Sequence, residues 1–178
     1  RSDVPWRRSI SPGVWVSFFT DDFGALTERK LGWNTYWKFG PRLYVLPTYE
    51  RIAESIDGAW LDTNQFRFKF GSQTWRQFQL STEIGVGDTI IRSSLLKEGE
   101  SHYVGRQFAP TFSATIRPTR QMSIGLAYQH RMIWREWGGE KLANEPLIRG
   151  SLLTFFNRDL YLRAIVEWDG LNERVTAD

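Results

Sequence analysis

The sequence predicts an all-β fold: an antiparallel, up-and-down transmembrane β-barrel, with about nine strands present and the barrel incomplete. Three observations predict it. Apolar and polar residues alternate one for one, as in Phe78, Leu80, Thr82, Ile84 and Val86 against Gln77, Gln79, Ser81, Glu83 and Gly85. A side-chain period of two gives each strand one apolar and one polar face. The connections read as alternately short and long, and aromatic residues, nine of them Trp, make up 15% of the chain. Trp and Tyr are favoured where a protein passes from lipid to water.

The elements follow in order. Residues 1–12 carry Arg1, Arg7, Arg8, Trp6 and two prolines without periodicity, and read as a lead-in segment; residues 13–178 read as barrel strands. The first strand, near 13–21, places Val14, Val16 and Phe18 on one face but Trp15 and Phe19 on the other. The second is clean: Leu31, Trp33, Thr35, Trp37 and Phe39 oppose Lys30, Gly32, Asn34, Tyr36 and Lys38. Gly40-Pro41-Arg42 then turns the chain. The third, near 43–53, is ambiguous in parity, and Pro47 removes a ladder donor. Glu54–Asn64 reads as a loop. The fourth strand sets Phe66, Phe68 and Phe70 against Gln65, Arg67 and Lys69, and leads through 73–76 into the fifth, quoted above.

After a long segment, 87–102, the sixth strand holds Phe108, Pro110, Phe112, Ala114 and Ile116. Arg117–Arg120 is a turn. The seventh runs Met122, Ile124, Leu126, Tyr128, Met132 and Trp134 against Gln121, Ser123, Gly125, Gln129, Arg131 and Arg135. The loop 136–145 precedes a less regular eighth strand with Ile148, Leu152 and Phe156 outside and Arg149 inside. Asn157-Arg158-Asp159 turns into the ninth, where Leu160, Leu162, Ala164, Val166 and Trp168 oppose Tyr161, Arg163, Ile165 and Glu167. A helix would put Glu83 in one stripe with Leu80, and Arg163 with Leu160, so a 3.6-residue period fails. Short turns at one end (40–42, 73–76, 117–120, 157–159) and longer loops at the other (22–28, 54–64, 87–102, 136–145) form the outer-membrane pattern.

Composition bounds the function. Hydrophobic content of 41% and a mean hydropathy of −0.42 exclude a helical membrane protein. A transmembrane barrel can be this polar, because every second strand residue faces its interior. With no cysteine, disulfides, thiolate metal sites and Cys nucleophiles are excluded. The net charge of +3 comes from mixed acids and bases without a basic run, so no nucleic-acid partner is expected. The chain starts without a signal peptide and stops as if entering another strand, and it reads as part of something longer.

The stretch Leu147–Asp169 resembles the penultimate hairpin of a bacterial family of unknown function, and Phe112–Ile124 resembles its strand, Arg-Pro turn, strand unit. Proteins of that family carry a carbohydrate-binding-family-9-like module followed by an outer-membrane β-barrel. The likeness covers residues 62–170; the first three strands match it poorly. It implies that this chain is the C-terminal barrel part, with the sugar-binding module upstream, and it supplies no catalytic residues.

No chemistry-bearing constellation stands out. His102 ends a long loop, and His130 has outer-face parity between Tyr128 and Met132, whereas Ser113 and Ser123 point inward; no nucleophile–base pair or metal-ligand spacing results. Neither an enzyme nor a cofactor is expected. The residues expected to matter line the interior as a possible solute path: Lys30, Lys38, Arg67, Lys69, Gln77, Gln79, Glu83, Arg131, Arg149, Arg163 and Glu167. Bases outnumber acids in that set, which gives either a mild anion preference or internal pairing that closes the barrel. Trp33, Trp37, Tyr128, Trp134 and Trp168 are expected as membrane-interface aromatics. The expected setting is the bacterial outer membrane, as a porin- or transport-like channel or an anchor. The expected partners are the lipid bilayer and either other envelope proteins or the rest of its own chain. Two alternatives stay open: a structural or docking subunit of an envelope complex, and a soluble aromatic-rich β-domain stacking sugars on Trp33, Trp37, Trp134 and Trp137.

Overall fold

A computed structural model of the chain describes residues 8–40, 42–75, 77–92, 95–96, 99–157, 160–170 and 172–173. The expected lead-in residues 1–7, turn residues Pro41, Arg76, Arg158 and Asp159, loop residues Lys97 and Glu98, and the end 174–178 lie outside the described residues. The strands are β1 (Arg8–Thr20), β2 (Leu26–Phe39), β3 (Leu43–Ile56), β4 (Ala59–Trp75), β5 (Phe78–Ile91), β6 (Tyr103–Ile116), β7 (Met122–Trp134), β8 (Lys141–Phe155), β9 (Tyr161–Asp169) and the two-residue β10 (Asn172–Glu173). β1 to β8 pair in chain order, every pair antiparallel, and β9 and β10 both lie along the far edge of β8. The architecture is therefore all-β and up-and-down. The sheet does not close: β1 and β9 are not paired with each other.

Boundaries differ from expectation in four segments. β1 begins at Arg8, so residues 8–12 are strand, and Pro12 is tolerated because an edge strand has one ladder free. The expected loop 54–64 is a hairpin: β3 runs to Ile56 and β4 starts at Ala59. Asp57 (φ 52°) and Gly58 (φ 79°) both have positive φ, the geometry of the tightest hairpin turns, for which Asp-Gly is a preferred pair. The loops 87–102 and 136–145 shrink likewise, because β5 extends to Ile91 and β8 begins at Lys141. The strict alternation of connection lengths is thus overturned. The residues that make this end long are strand, and only the connections 92–102 and 135–140 keep its excess.

Cross-strand register carries each face around the whole sheet. One face bears Val14, Trp33, Tyr49, Phe66, Val86, Phe108 and Met132 as successive partners; another row on it runs Trp37, Val45, Phe70, Thr82, Phe112, Tyr128, Ile148 and Trp168. This apolar face is exposed, from Val14 at 75% through Phe68 at 40% to Val166 at 73%. The opposite face is more enclosed: the Trp15 ring lies where a Cβ on Gly32 would stand, and Tyr44, stacked on Tyr36 at 5.7 Å, covers Gly71. Among the described residues the one buried apolar cluster is Ile91, Ile133, Leu142 and Ala143, against which Leu95, Leu96 and Tyr103 pack at the loop end. The chain leaves 12801 Å2 accessible, against about 8,900 Å2 for a compact monomer of its mass. It is a single layer.

The rows also stagger. Phe39 is the last residue of β2, and its row passes through Leu43, Ser72, Leu80, Ala114 and Leu126 to Gly150. β8 continues past that level from Ser151 to Phe155. Five residues of rise over six strand spacings is about 17 Å in about 29 Å, so a plane through the short turns crosses the strands at a tilt of roughly 30°.

Candidate functional site

The polar face is the candidate site, and pairing of opposite charges organises it. Register puts Lys69 directly across from Glu83 (3.7 Å), Arg131 across from Glu145 and Arg149 across from Glu167 (3.7 Å). Arg131 grips Glu145 with two nitrogens at 2.6 and 2.9 Å, the fork geometry that suits a carboxylate. Arg67 bonds Glu50 diagonally across β3 and β4, and Lys30 bonds Glu28 on its own strand at 2.6 Å while lying 4.9 Å over the Phe19 ring. Lys38 and Arg163 make no ion pair among the described residues. Both share the polar face: Lys38 is across from Tyr44, and Arg163 from Leu153.

The structure thus brings together nearly all the residues expected on this face. Gln77 is the exception. The β4–β5 hairpin closes at Trp75–Phe78, which leaves Gln77 in the turn, its carbonyl accepting the Arg117 N–H at 2.7 Å. Sequence reasoning missed the acids. Glu28, Glu50, Glu54, Glu145 and Asp169 occupy the polar face of β2, β3, β8 and β9: Glu28 and Glu54 are in register with each other, Glu50 with Gln65, Glu145 with Arg131 and Asp169 with Leu147. With Glu83 and Glu167 they number seven, against the seven expected bases and Arg92, which pairs with Glu54, so the excess of bases falls to one. The signal that would have found Glu50 and Glu54 was the Asp57-Gly58 turn, which fixes the parity of β3.

Between the two ion-paired regions runs a strip of small neutral residues: Gln79, Ser81 and Gly85 on β5, Thr111, Ser113 and Thr115 on β6, Ser123 and Gly125 on β7. An open groove of about 350 Å3 flanks it, lined by Ala109, Thr111, Gln129, Arg131, Glu145 and Asp169. At the loop end Arg92 holds Glu54 with both carboxylate oxygens at 3.0 Å. Arg135 binds Glu100 (2.7 Å) and Glu140 (3.5 Å) and lies 4.6 Å over the Tyr103 ring. The Glu100 hydrogen bond, opposed by desolvation, raises the Arg135 guanidinium above its already high ordinary range. His102 joins this region to the β3–β4 turn through Asp57 at 3.1 Å.

Protein-family models, curated proteins and solved structures were compared with the chain. None matches.

The expected interface aromatics all lie on the apolar face, with Trp33 paired to Tyr49, Trp37 to Val45, Tyr128 to Ile148 and Trp168 to Ile148 from its other side. Trp134 packs on Trp137 at 5.6 Å, under Lys141 at 5.5 Å. Toward the loop end this face turns polar, and tyrosine hydroxyls mark the change: Tyr49 donates to Asn64 Oδ1 at 2.7 Å, and Tyr128 bonds His130 Nδ1 at 2.9 Å. His130 Nε2 donates to Asn144 Oδ1 at 3.0 Å, so both imidazole nitrogens are engaged on the face opposite to Ser113 and Ser123. Farther out, Asp88 accepts from Arg106 and from the Asn64 backbone at 2.9 Å. Among the described residues no group of three His, Asp or Glu side chains is placed to hold a metal ion.

Proposed function

We propose that the chain forms part of the wall of a transmembrane β-barrel in a bacterial outer membrane, and that its polar face lines a passage for small polar solutes. One observation carries this reading. Large apolar side chains are exposed on one face of eight of the nine long strands, while most of the charged side chains of the opposite face are satisfied in pairs. In water that arrangement is inside out, since a soluble antiparallel sheet packs its apolar face onto a core. In a bilayer it has the right sense, with hydrocarbon against the Phe66–Phe70 stripe and water against the ion pairs. The stagger supports it too, because a tilt of roughly 30° approaches the 35–45° of known membrane barrels.

The passage is weakly selective. Neighbouring opposite charges cancel at a distance, so Lys38 and Arg163, set against Asp169, leave one net positive charge and a small preference for anions. The long-loop end faces outward, and the module that the resemblance implies lies upstream in the whole protein. A second reading, an anchor without a passage, draws on the Leu95, Leu96 and Tyr103 packing across the loop end of the polar face.

Reconstitution into planar bilayers tests the proposal. Stepwise conductance with a reversal potential slightly on the anion side is expected. Stable insertion without conductance would leave the anchor. A chain that is monodisperse without detergent and ignores vesicles would overturn both.

A further inference from the structure

At the loop end of β1 to β4 the apolar face carries a groove of about 280 Å3, lined by Val16, Phe18, Arg29, Leu31, Arg51 and Asp62. Its chemistry is divided across the strands. Val16, Phe18 and Leu31 on β1 and β2 are exposed and apolar. Beside them stand two guanidinium groups, Arg51 directly across from Leu31 and Arg29 directly across from Phe18. Arg29 stacks 5.1 Å over the Trp60 ring and has no ion pair among the described residues. Arg51 stands 3.5 Å from Asp62, and both are solvent-exposed. The other outward cations at this end are engaged: Arg106 is bound to Asp88, and Lys141 caps the Trp134 ring. Two arginines against one carboxylate leave the groove with one net positive charge.

We propose that this groove binds an anionic membrane lipid, its phosphate held between Arg29 and Arg51 and an acyl chain laid along Val16, Phe18 and Leu31. This rests on the transmembrane reading. Two features favour that ligand. The guanidinium fork is matched to phosphate oxygens. A floor of exposed apolar side chains suits a ligand with a tail, whereas free phosphate would leave it wet. Trp60, flat under Arg29, holds the guanidinium at the height where Trp rings settle in a bilayer.

The test uses the full chain in nanodiscs made of equal parts phosphatidylglycerol and phosphatidylcholine, with lipids retained after gentle detergent extraction identified by native mass spectrometry. Retention of phosphatidylglycerol over phosphatidylcholine is expected. The R29Q/R51Q variant should lose that preference by about tenfold, R29K/R51K should keep part of it, and R120Q at the opposite end should leave it unchanged. Equal loss in R120Q, or no preference in the unaltered chain, would overturn the lipid site while leaving the membrane reading standing. Displacement by excess inorganic phosphate would reduce it to a simple anion site and overturn it as well. Failure of the chain to enter nanodiscs of either lipid would overturn the membrane reading, and the lipid site with it.

Discussion

Gly71 shows how a single missing side chain shapes the polar face. The Tyr44 ring occupies the space a Cβ would need there, and Tyr36 stacks on the other side of Tyr44. Replacing Gly71 with Val forces the ring off its site, at a cost of about 1–3 kcal/mol. In a Tyr44→Ala background the same substitution should cost much less, and urea unfolding of the four combinations measures that coupling. Equal costs in both backgrounds would refute the contact. The ion pairs act by a different principle. Glu50 keeps 15% of its side chain accessible beside Arg67. Arg67→Gln therefore leaves a largely enclosed carboxylate without its cation, and about 1–3 kcal/mol of destabilisation is expected. Glu50→Gln combined with Arg67→Gln should recover part of it, because two neutral amides do not require each other as two charges do. An R67Q midpoint equal to that of the unaltered chain would show the pair to be decorative.

At the scale of elements, parity was legible wherever a strand is two-faced along its whole length. β2, β4, β5, β7 and β9 have the faces their alternation predicts. β3 did not show it, because its polar half, Glu50 to Ser55, resembles a loop in composition although it pairs residue by residue with β4. On the proposed transmembrane reading, polar residues on both faces are what a strand carries once it has left hydrocarbon, and period-two hydrophobicity vanishes there while pairing persists. The same cause hid Glu145 and Asp88. In the proposed membrane setting the Phe66–Phe70 face meets lipid. Phe68 on β4 sits at mid-height across from Pro47 and Ile84. Phe68→Arg should reduce stability in bilayers by about 2–4 kcal/mol, the midplane cost of a lipid-facing charge. Ser81→Arg, on the other face of the neighbouring strand, should cost well under half of that. Unfolding by denaturant from lipid vesicles reads both, and a reversed order would assign the faces the other way round.

For the molecule as a whole, the question is what one layer can do that a packed domain cannot. A layer with its charges paired in rows presents water with many dipoles and few net charges, so its field weakens quickly with distance. Ions in the proposed passage are sorted only by the groups left over. Those are Lys38 and Arg163, near the two ends of the strand order and both toward the short turns, and Asp169 at the other end of β9, with one net positive charge among them. One unit charge at about 10 Å in water is worth about 0.4 kcal/mol, a factor of about two in local ion concentration. Anions are enriched and cations depleted by that factor, so the chain should favour chloride over potassium by only about fourfold. Lys38→Glu with Arg163→Glu should move the reversal potential in a salt gradient across zero to the cation side, while single-channel conductance changes little. Reversing Arg149 and Glu167 together (R149E/E167R) should leave it in place, because their fields cancel before and after the exchange. If that swap shifts the potential as far as the Lys38 and Arg163 pair does, ions in the passage respond to individual charges close by, and cancellation within pairs is not what sets selectivity.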